Sequence, residues 1–196
     1  MPETVELTGK VVRLEPLRIE HLDGLCRVGL DPAIWRWMPV HVRDREGMRA
    51  FIDDALKAAE TGEAVPFAIR RLSDGDLVGS TRFMSIVRMH RRVEIGGTWI
   101  TPSVQRSAVN TECKLLLLEH AFDVWRCQRV EFKTNALNRA SRDAILRLGA
   151  REEGTFRKHM MNDDGTSRDS VYFSIVDDEW PGIRARLLQR LAAGAV

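Results

Sequence analysis

The chain has few of the features that would cross-link it, anchor it or give it a strong field. Three cysteines, Cys26, Cys113 and Cys127, are widely spaced and form no CxxC pair, which argues against a disulfide framework and against a zinc site. Two of them fall in apolar helical patterns, where a buried, reduced thiol is expected. No run of about 18 apolar residues is present that would span a bilayer, and Met1–Leu17 carries no apolar core of signal-peptide length. A soluble, cytoplasmic protein without a membrane partner is therefore expected. The net charge of +2 is the small difference between 30 basic and 28 acidic side chains, so no global field selects a nucleic acid. Internal repeats, low-complexity tracts and Gly/Ser linkers are also missing, and residues 1–196 are read as one domain. A chain of this size buries roughly 70% of the surface its unfolded form exposes.

What is present is an apolar pattern that alternates between period two and period 3.6. Val11–Leu14 reads as a strand, Ile19–Leu30 as a helix closed by Asp31-Pro32, and Asp44 as the cap of a helix running to about Glu60. Pro66–Leu72 and Asp76–Ile86 form a hairpin through Ser73-Asp74-Gly75, and Arg92–Thr101 extends the meander until Pro102 ends it. Asn110 is the expected cap of a helix from Thr111 to about Val124. A strand at Val130–Thr134, a helix at Arg139–Leu148 ended by Gly149, two strands at Arg151–Met160 and Arg168–Val176, and a helix from Trp180-Pro181 complete the order. Long antiparallel strands before one central βαβ crossover predict an α+β fold, not a doubly wound one.

Candidate chemistry is densest between Glu94 and Asn110. In Trp99-Ile100-Thr101-Pro102-Ser103-Val104-Gln105-Arg106-Ser107-Ala108-Val109-Asn110-Thr111-Glu112 a strand turns into a helix. Small residues ahead of a helix start let backbone N–H groups converge, and with the helix dipole they form an anion site suited to a pyrophosphate. The glycines that usually mark phosphate loops are absent and such junctions are common, so the segment by itself also reads as an ordinary strand-to-helix junction.

The order of elements together with this loop, over about residues 8 to 180, resembles the GCN5-related N-acetyltransferase (GNAT) superfamily, especially its ribosomal-protein N-terminal acetyltransferase branch. The resemblance implies a GNAT-like mixed, mostly antiparallel central sheet of about seven strands flanked by helices. In that family the loop reads Q/R-x-x-G-x-G/A and its main-chain amides hold the pyrophosphate of coenzyme A. Here Ala108 and Asn110 occupy the two small positions. Acetyl-CoA is thus the implied cosubstrate, bound by Ile100, Thr101, Gln105, Arg106, Ser107, Ala108, Val109, Asn110 and Thr111. Asn138-Arg139-Ala140-Ser141 before Leu148-Gly149-Ala150 is similar to the family's second motif, which implies an Asn138 contact to the pantetheine arm and a Ser141 contact to the departing thiolate. The family's common tyrosine acid is replaced by Ile145. Ser141 is otherwise a first-turn helix serine.

Glu94 precedes Gln105 by the same spacing as the general-base glutamate of histone-type members. A buried carboxylate with a raised pKa can take the proton an amine must lose before attack; the alternative is a strand carboxylate paired with Arg91, Arg92 or Arg82. The glutamate that the ribosomal-protein branch carries in its next-to-last strand is Met160 here, with His159 beside it. Trp35, Trp37 and Met38 are candidates either for an acceptor pocket or for core packing. Direct transfer from acetyl-CoA to a primary amine, a protein N-terminus or a small molecule, is the expected activity, without a covalent role for Cys113. A non-catalytic acyl-CoA binder is one rival. A nucleic-acid module using Arg88-Met89-His90-Arg91-Arg92 is another, although such a run is more often a solvated turn. A homodimer contact through the last strand and Met160-Met161 stays open.

Overall fold

The computed structural model describes residues 5–194. Its strands are β1 (Leu7–Thr8), β2 (Val12–Pro16), β3 (Val65–Arg71), β4 (Leu77–Val87), β5 (Arg92–Ile100), β6 (Arg129–Asn135), β7 (Arg151–Met161) and β8 (Ser167–Val176). The helices are α1 (Leu22–Gly29), α2 (Pro32–Trp35), α3 (Arg45–Glu60), α4 (Ala108–Glu119), α5 (Arg139–Leu148) and α6 (Trp180–Ala192). The strands form one sheet in the order β1-β2-β3-β4-β5-β6-β8-β7, in which only β5 and β6 run parallel. Among the described residues it has eight strands, in keeping with the about seven expected, the two-residue β1 pairing with Leu14 and Arg13 at one edge. Among the described residues no helix is long and apolar enough to cross a membrane.

Local chemistry explains most boundaries. Asp44 is extended and accepts the Gly47 N–H at 2.8 Å, and the next helix turns Met48, Phe51, Ile52 and Ala55 inward. Gly75 takes φ +78° at the β3–β4 turn, a conformation that favours glycine. The expected helix over 19–30 begins as a short 3₁₀ turn, Ile19–His21, before α1. The expected 111–124 helix ends in a π-helical turn, His120–Val124.

Two apolar clusters cover opposite faces of the sheet. On one face Val93, Ile95, Val130, Phe132 and Phe173 pack under α4, α5 and α6; on the other Leu25, Trp35, Phe51, Ala68 and Trp99 pack under α1, α2 and α3. Since strand side chains alternate, Glu94, Glu131, Lys133 and Tyr172 all lie on the face shared with α1 to α3. Glu112 ties α4 to the sheet edge by accepting the N–H groups of Lys10, Val11 and Val12 at 2.7–2.8 Å.

Candidate active site

β5 and β6 are hydrogen-bonded only from Arg92 to Glu94 and from Arg129 to Glu131. Beyond that point β5 continues to Ile100 against β4, and β6 to Asn135 against β8. The two strands therefore part, opening a wedge whose closed end is the Glu94–Glu131 pair. A register shift in β4–β5 accompanies the change, with Gly97 at φ +55° where an added Cβ would meet the Arg82 guanidinium at 2.6 Å. Thr101 donates its N–H to the Val78 carbonyl at 2.8 Å, so its amide is already occupied. Alternation then turns the Ile100 N–H toward the wedge, and the Ile100 carbonyl accepts from the Gln105 side chain at 3.1 Å.

The N-terminus of α4 lies on the chain just past the open end. Ser107, not Asn110, is the cap: it is extended (φ −121°, ψ 178°), accepts the Val109 N–H at 3.3 Å and donates to the Val104 carbonyl at 2.6 Å. The helix consequently starts three residues earlier than the sequence suggests, and Asn110 and Thr111 fall in its first turn. The left-handed step that turns the chain into the helix belongs to Arg106, at φ +58°. Val109 is buried in the core while Gln105 and Arg106 are exposed. The loop thus presents first-turn N–H groups, which have no intrahelical partners, and the positive end of the dipole. That donor set fits a pyrophosphate.

Glu94 is 3% exposed. Its carboxylate lies 3.5 Å from the Lys133 ammonium and 3.5 Å from the Ser85 hydroxyl. It pairs with none of Arg82, Arg91 or Arg92, the partners its sequence context offered: Arg91 meets Asp177 and Arg92 meets Glu131. Burial pushes its pKa up, and Lys133 offsets only part of that rise. The neighbouring Glu131 is neutralised from two sides, by Arg92 at 3.0 Å and Arg129 at 2.8 Å. Tyr172 faces Lys133 across β6–β8, with the ammonium 5.6 Å from its ring centroid, and its hydroxyl lies 3.4 Å from His159 Nε2. His159 is held below its usual pKa by burial and by the charges of Lys133 and Arg168.

Lys133, Tyr172 and Arg168 were not identified from the sequence. A signal existed: Glu131/Lys133 and Arg168/Ser170/Tyr172/Ser174 are polar alternates of strands whose other face is core, and Tyr172 is the only tyrosine in the chain. Arg168 is 7% exposed and donates to the Trp37 carbonyl at 2.9 Å, fixing the segment after α2 against β8. The same segment meets the β7–β8 turn, where Asp163 binds the His41 N–H at 2.7 Å and its imidazole at 2.5 Å.

Other sequence candidates fall elsewhere. Trp35 is 1% exposed, donates to the Gly29 carbonyl at 2.7 Å and packs on Phe51 and Trp99; it is core and offers an acceptor no surface. Trp37 and Met38 are half-buried beside Arg168. Asn138 caps α5 by accepting the Ser141 N–H at 3.1 Å, which leaves the half-buried Ser141 hydroxyl in the first turn, near the end of β6. Cys113 is wholly buried, and burial pushes its thiol up to about 12. Met89 and Arg91 stand exposed around a 3₁₀ turn.

Residues 12–151 match the family model described as an acetyltransferase (GNAT) domain. Among curated proteins the chain is 31% identical over 111 residues to a Bacillus subtilis protein provisionally named ribosomal N-acetyltransferase YdaF, covering 57% of this chain and 60% of that one. The match thus spans about three fifths of that relative. Among solved structures, a GCN5-related N-acetyltransferase from Brucella melitensis superposes with a TM-score of 0.89 at 30% identity, covering 97% of this chain and 86% of the other. A provisionally described acetyltransferase from T. thermophilus gives 0.87 at 37% identity, with 97% and 98% coverage.

Proposed function

Because the chain belongs to the GNAT acetyltransferase family, in which acetyl-CoA is the acyl donor, we propose that it transfers an acetyl group from acetyl-CoA directly to a primary amine, either a protein N-terminus or a small molecule, with Glu94 as the base. The observation that carries this reading is the wedge between β5 and β6, with a helix N-terminus following its open end and a buried carboxylate at its closed end. Acetyl-CoA supplies a thioester carbon open to nucleophilic attack. The chain's part is to hold the diphosphate at the first turn of α4, from Ser107 to Thr111, and to offer the Ile100 N–H to the carbonyl oxygen as charge grows there.

Glu94 takes the proton of the amine. Its raised pKa makes it a stronger base than an exposed carboxylate, and the Lys133 ammonium at 3.5 Å favours its ionised form. The amine nitrogen forms its bond to the acetyl carbon as the C–S bond breaks, and the thiolate is protonated from water or through Ser141. With its pKa up at about 12, Cys113 supports no acyl-enzyme.

Thiol release from acetyl-CoA across a panel of primary amines and N-terminal peptides tests the reading. Turnover in wild type, lowered about 10²–10⁴-fold in Glu94→Gln and less in Ser141→Ala, is the expected result. Coenzyme binding without turnover on any amine would overturn the enzymatic reading, and unchanged turnover in Glu94→Gln would remove Glu94 as base.

A further inference from the structure

The face around Glu94 carries more positive charge than it neutralises. Three cations project from that face of the sheet. Arg82 comes from β4 opposite Gly96, Lys133 from β6, and Arg168 from β8 on the same face as Tyr172. Only Lys133 meets a carboxylate, Glu94 at 3.5 Å, and Glu131 is already held by Arg92 and Arg129. Arg168 is 7% exposed, its one bond is to a neutral carbonyl, that of Trp37, and its Nε is buried without a partner among the described residues. The Arg82 guanidinium lies 5.1 Å from the Phe51 ring centroid, and its Nε is likewise buried and unpartnered. Ser170 Oγ, two residues along β8 from Arg168, and His159 Nδ1 are buried and unpartnered on the same side of the sheet.

Burying a guanidinium without a carboxylate in contact is costly. Neither guanidinium is in contact with a carboxylate; the acidic groups nearby, Glu94 for Arg168 and Asp54 for Arg82, act only from a distance. We propose that the acceptor amine carries its own carboxylate, and that Arg168, braced by the Trp37 carbonyl, binds that group while the amine faces Glu94. The inference rests on the acetyltransferase reading above and narrows its acceptor to an acidic amine, whether a free amino acid or a peptide with an acid close to its N-terminus. A planar guanidinium with free N–H donors suits a carboxylate in two-point contact, and a neutral carboxamide would leave that charge buried and unpaired.

The test compares matched acceptors: free amino acids with their amides, and short peptides with an acidic or an amide residue at position two. Wild type is expected to favour the acidic member of at least one pair by about tenfold or more in kcat/KM. In Arg168→Met the acidic-to-neutral ratio is expected to collapse toward one, mainly through KM of the acidic acceptor, and Arg168→Lys to restore part of it. A purely structural Arg168 would lower both members equally, and that result overturns the proposal. So does turnover without charge preference in wild type, which leaves the acetyltransferase reading intact. Should no amine turn over, calorimetric titration of the same pairs into protein holding coenzyme A decides the point: tighter binding of the acidic member upholds the Arg168 site, and equal or absent binding overturns it.

Discussion

Glu94 and Glu131 stand side by side across the parallel β5–β6 pair, yet one meets a single lysine at 3.5 Å and the other is clamped between Arg92 and Arg129. Two adjacent carboxylates in such different surroundings divide into a proton acceptor and a structural anion. For Glu94 burial raises the pKa, so the basic form accumulates only as pH rises past the ordinary carboxylate range. The acid limb of kcat/KM is expected above the ordinary carboxylate range, and Lys133→Met, which removes the charge that favours the anion, should displace it to still higher pH. A limb that stays in place in Lys133→Met, measured with a fixed acceptor, would show that Glu94 does not set it.

Glu112 is another carboxylate with a defined task. Its two oxygens accept three consecutive backbone N–H groups, Lys10 to Val12, and so hold the β1–β2 turn on α4. Glu112→Ala leaves three donors without an acceptor, at an expected loss of roughly 2–4 kcal/mol, while Glu112→Gln keeps one acceptor oxygen and loses less. Urea unfolding monitored by tryptophan fluorescence checks the order wild type, Gln, Ala.

The left-handed Arg106 gives a third expectation. At φ +58° this exposed residue adopts a conformation that glycine takes without penalty. Arg106→Gly relieves left-handed strain of roughly 1–2 kcal/mol against roughly 0.5–1 kcal/mol of added unfolded-chain entropy, so it should raise the thermal midpoint slightly, whereas Arg106→Val should lower it. Equal shifts in both variants would mean that the backbone conformation at this position carries no strain.

The fold was largely legible in the sequence because its signals are local. Capping at Asp44, the Asp74-Gly75 turn and the alternation of Val130 to Thr134 each specify an element without reference to the rest. The candidate site was legible only in part. Glu94 and the loop could be placed by spacing along one segment, but the cap shifted to Ser107, because a serine hydroxyl in an extended residue competes as well for the first-turn N–H as an asparagine does. Lys133, Arg168 and Tyr172 reach Glu94 through the register of β5, β6 and β8, a long-range property that no local pattern encodes. Trp35 failed as a pocket residue for the same reason: its aromatic neighbours Phe51 and Trp99 come from a helix and a strand distant in sequence.

Lys114 provides the sharpest stability prediction. It is a buried residue of α4, bonded only to the Thr98 hydroxyl of β5 at 2.7 Å, and burial brings its pKa from 10.5 down to about 8. At pH 7 both folded and unfolded chains carry the charge, so the folded state bears its full desolvation cost, on the order of 3 kcal/mol from the size of that displacement. Between about pH 8 and pH 10.5 the folded lysine is neutral while the unfolded one is still protonated, so stability rises with pH through this window. Cys113 acts in the opposite sense above pH 9, since its thiol keeps its proton in the fold up to about 12. The difference between wild type and Lys114→Met isolates the lysine from that background. Lys114→Met should be more stable than wild type at pH 7, by roughly 1–3 kcal/mol, and the advantage should shrink as pH approaches 10.5. Denaturant unfolding of both proteins at about pH 7 and about pH 10 measures it, and an advantage that is the same at both values would show that Lys114 does not lose its proton in the folded state.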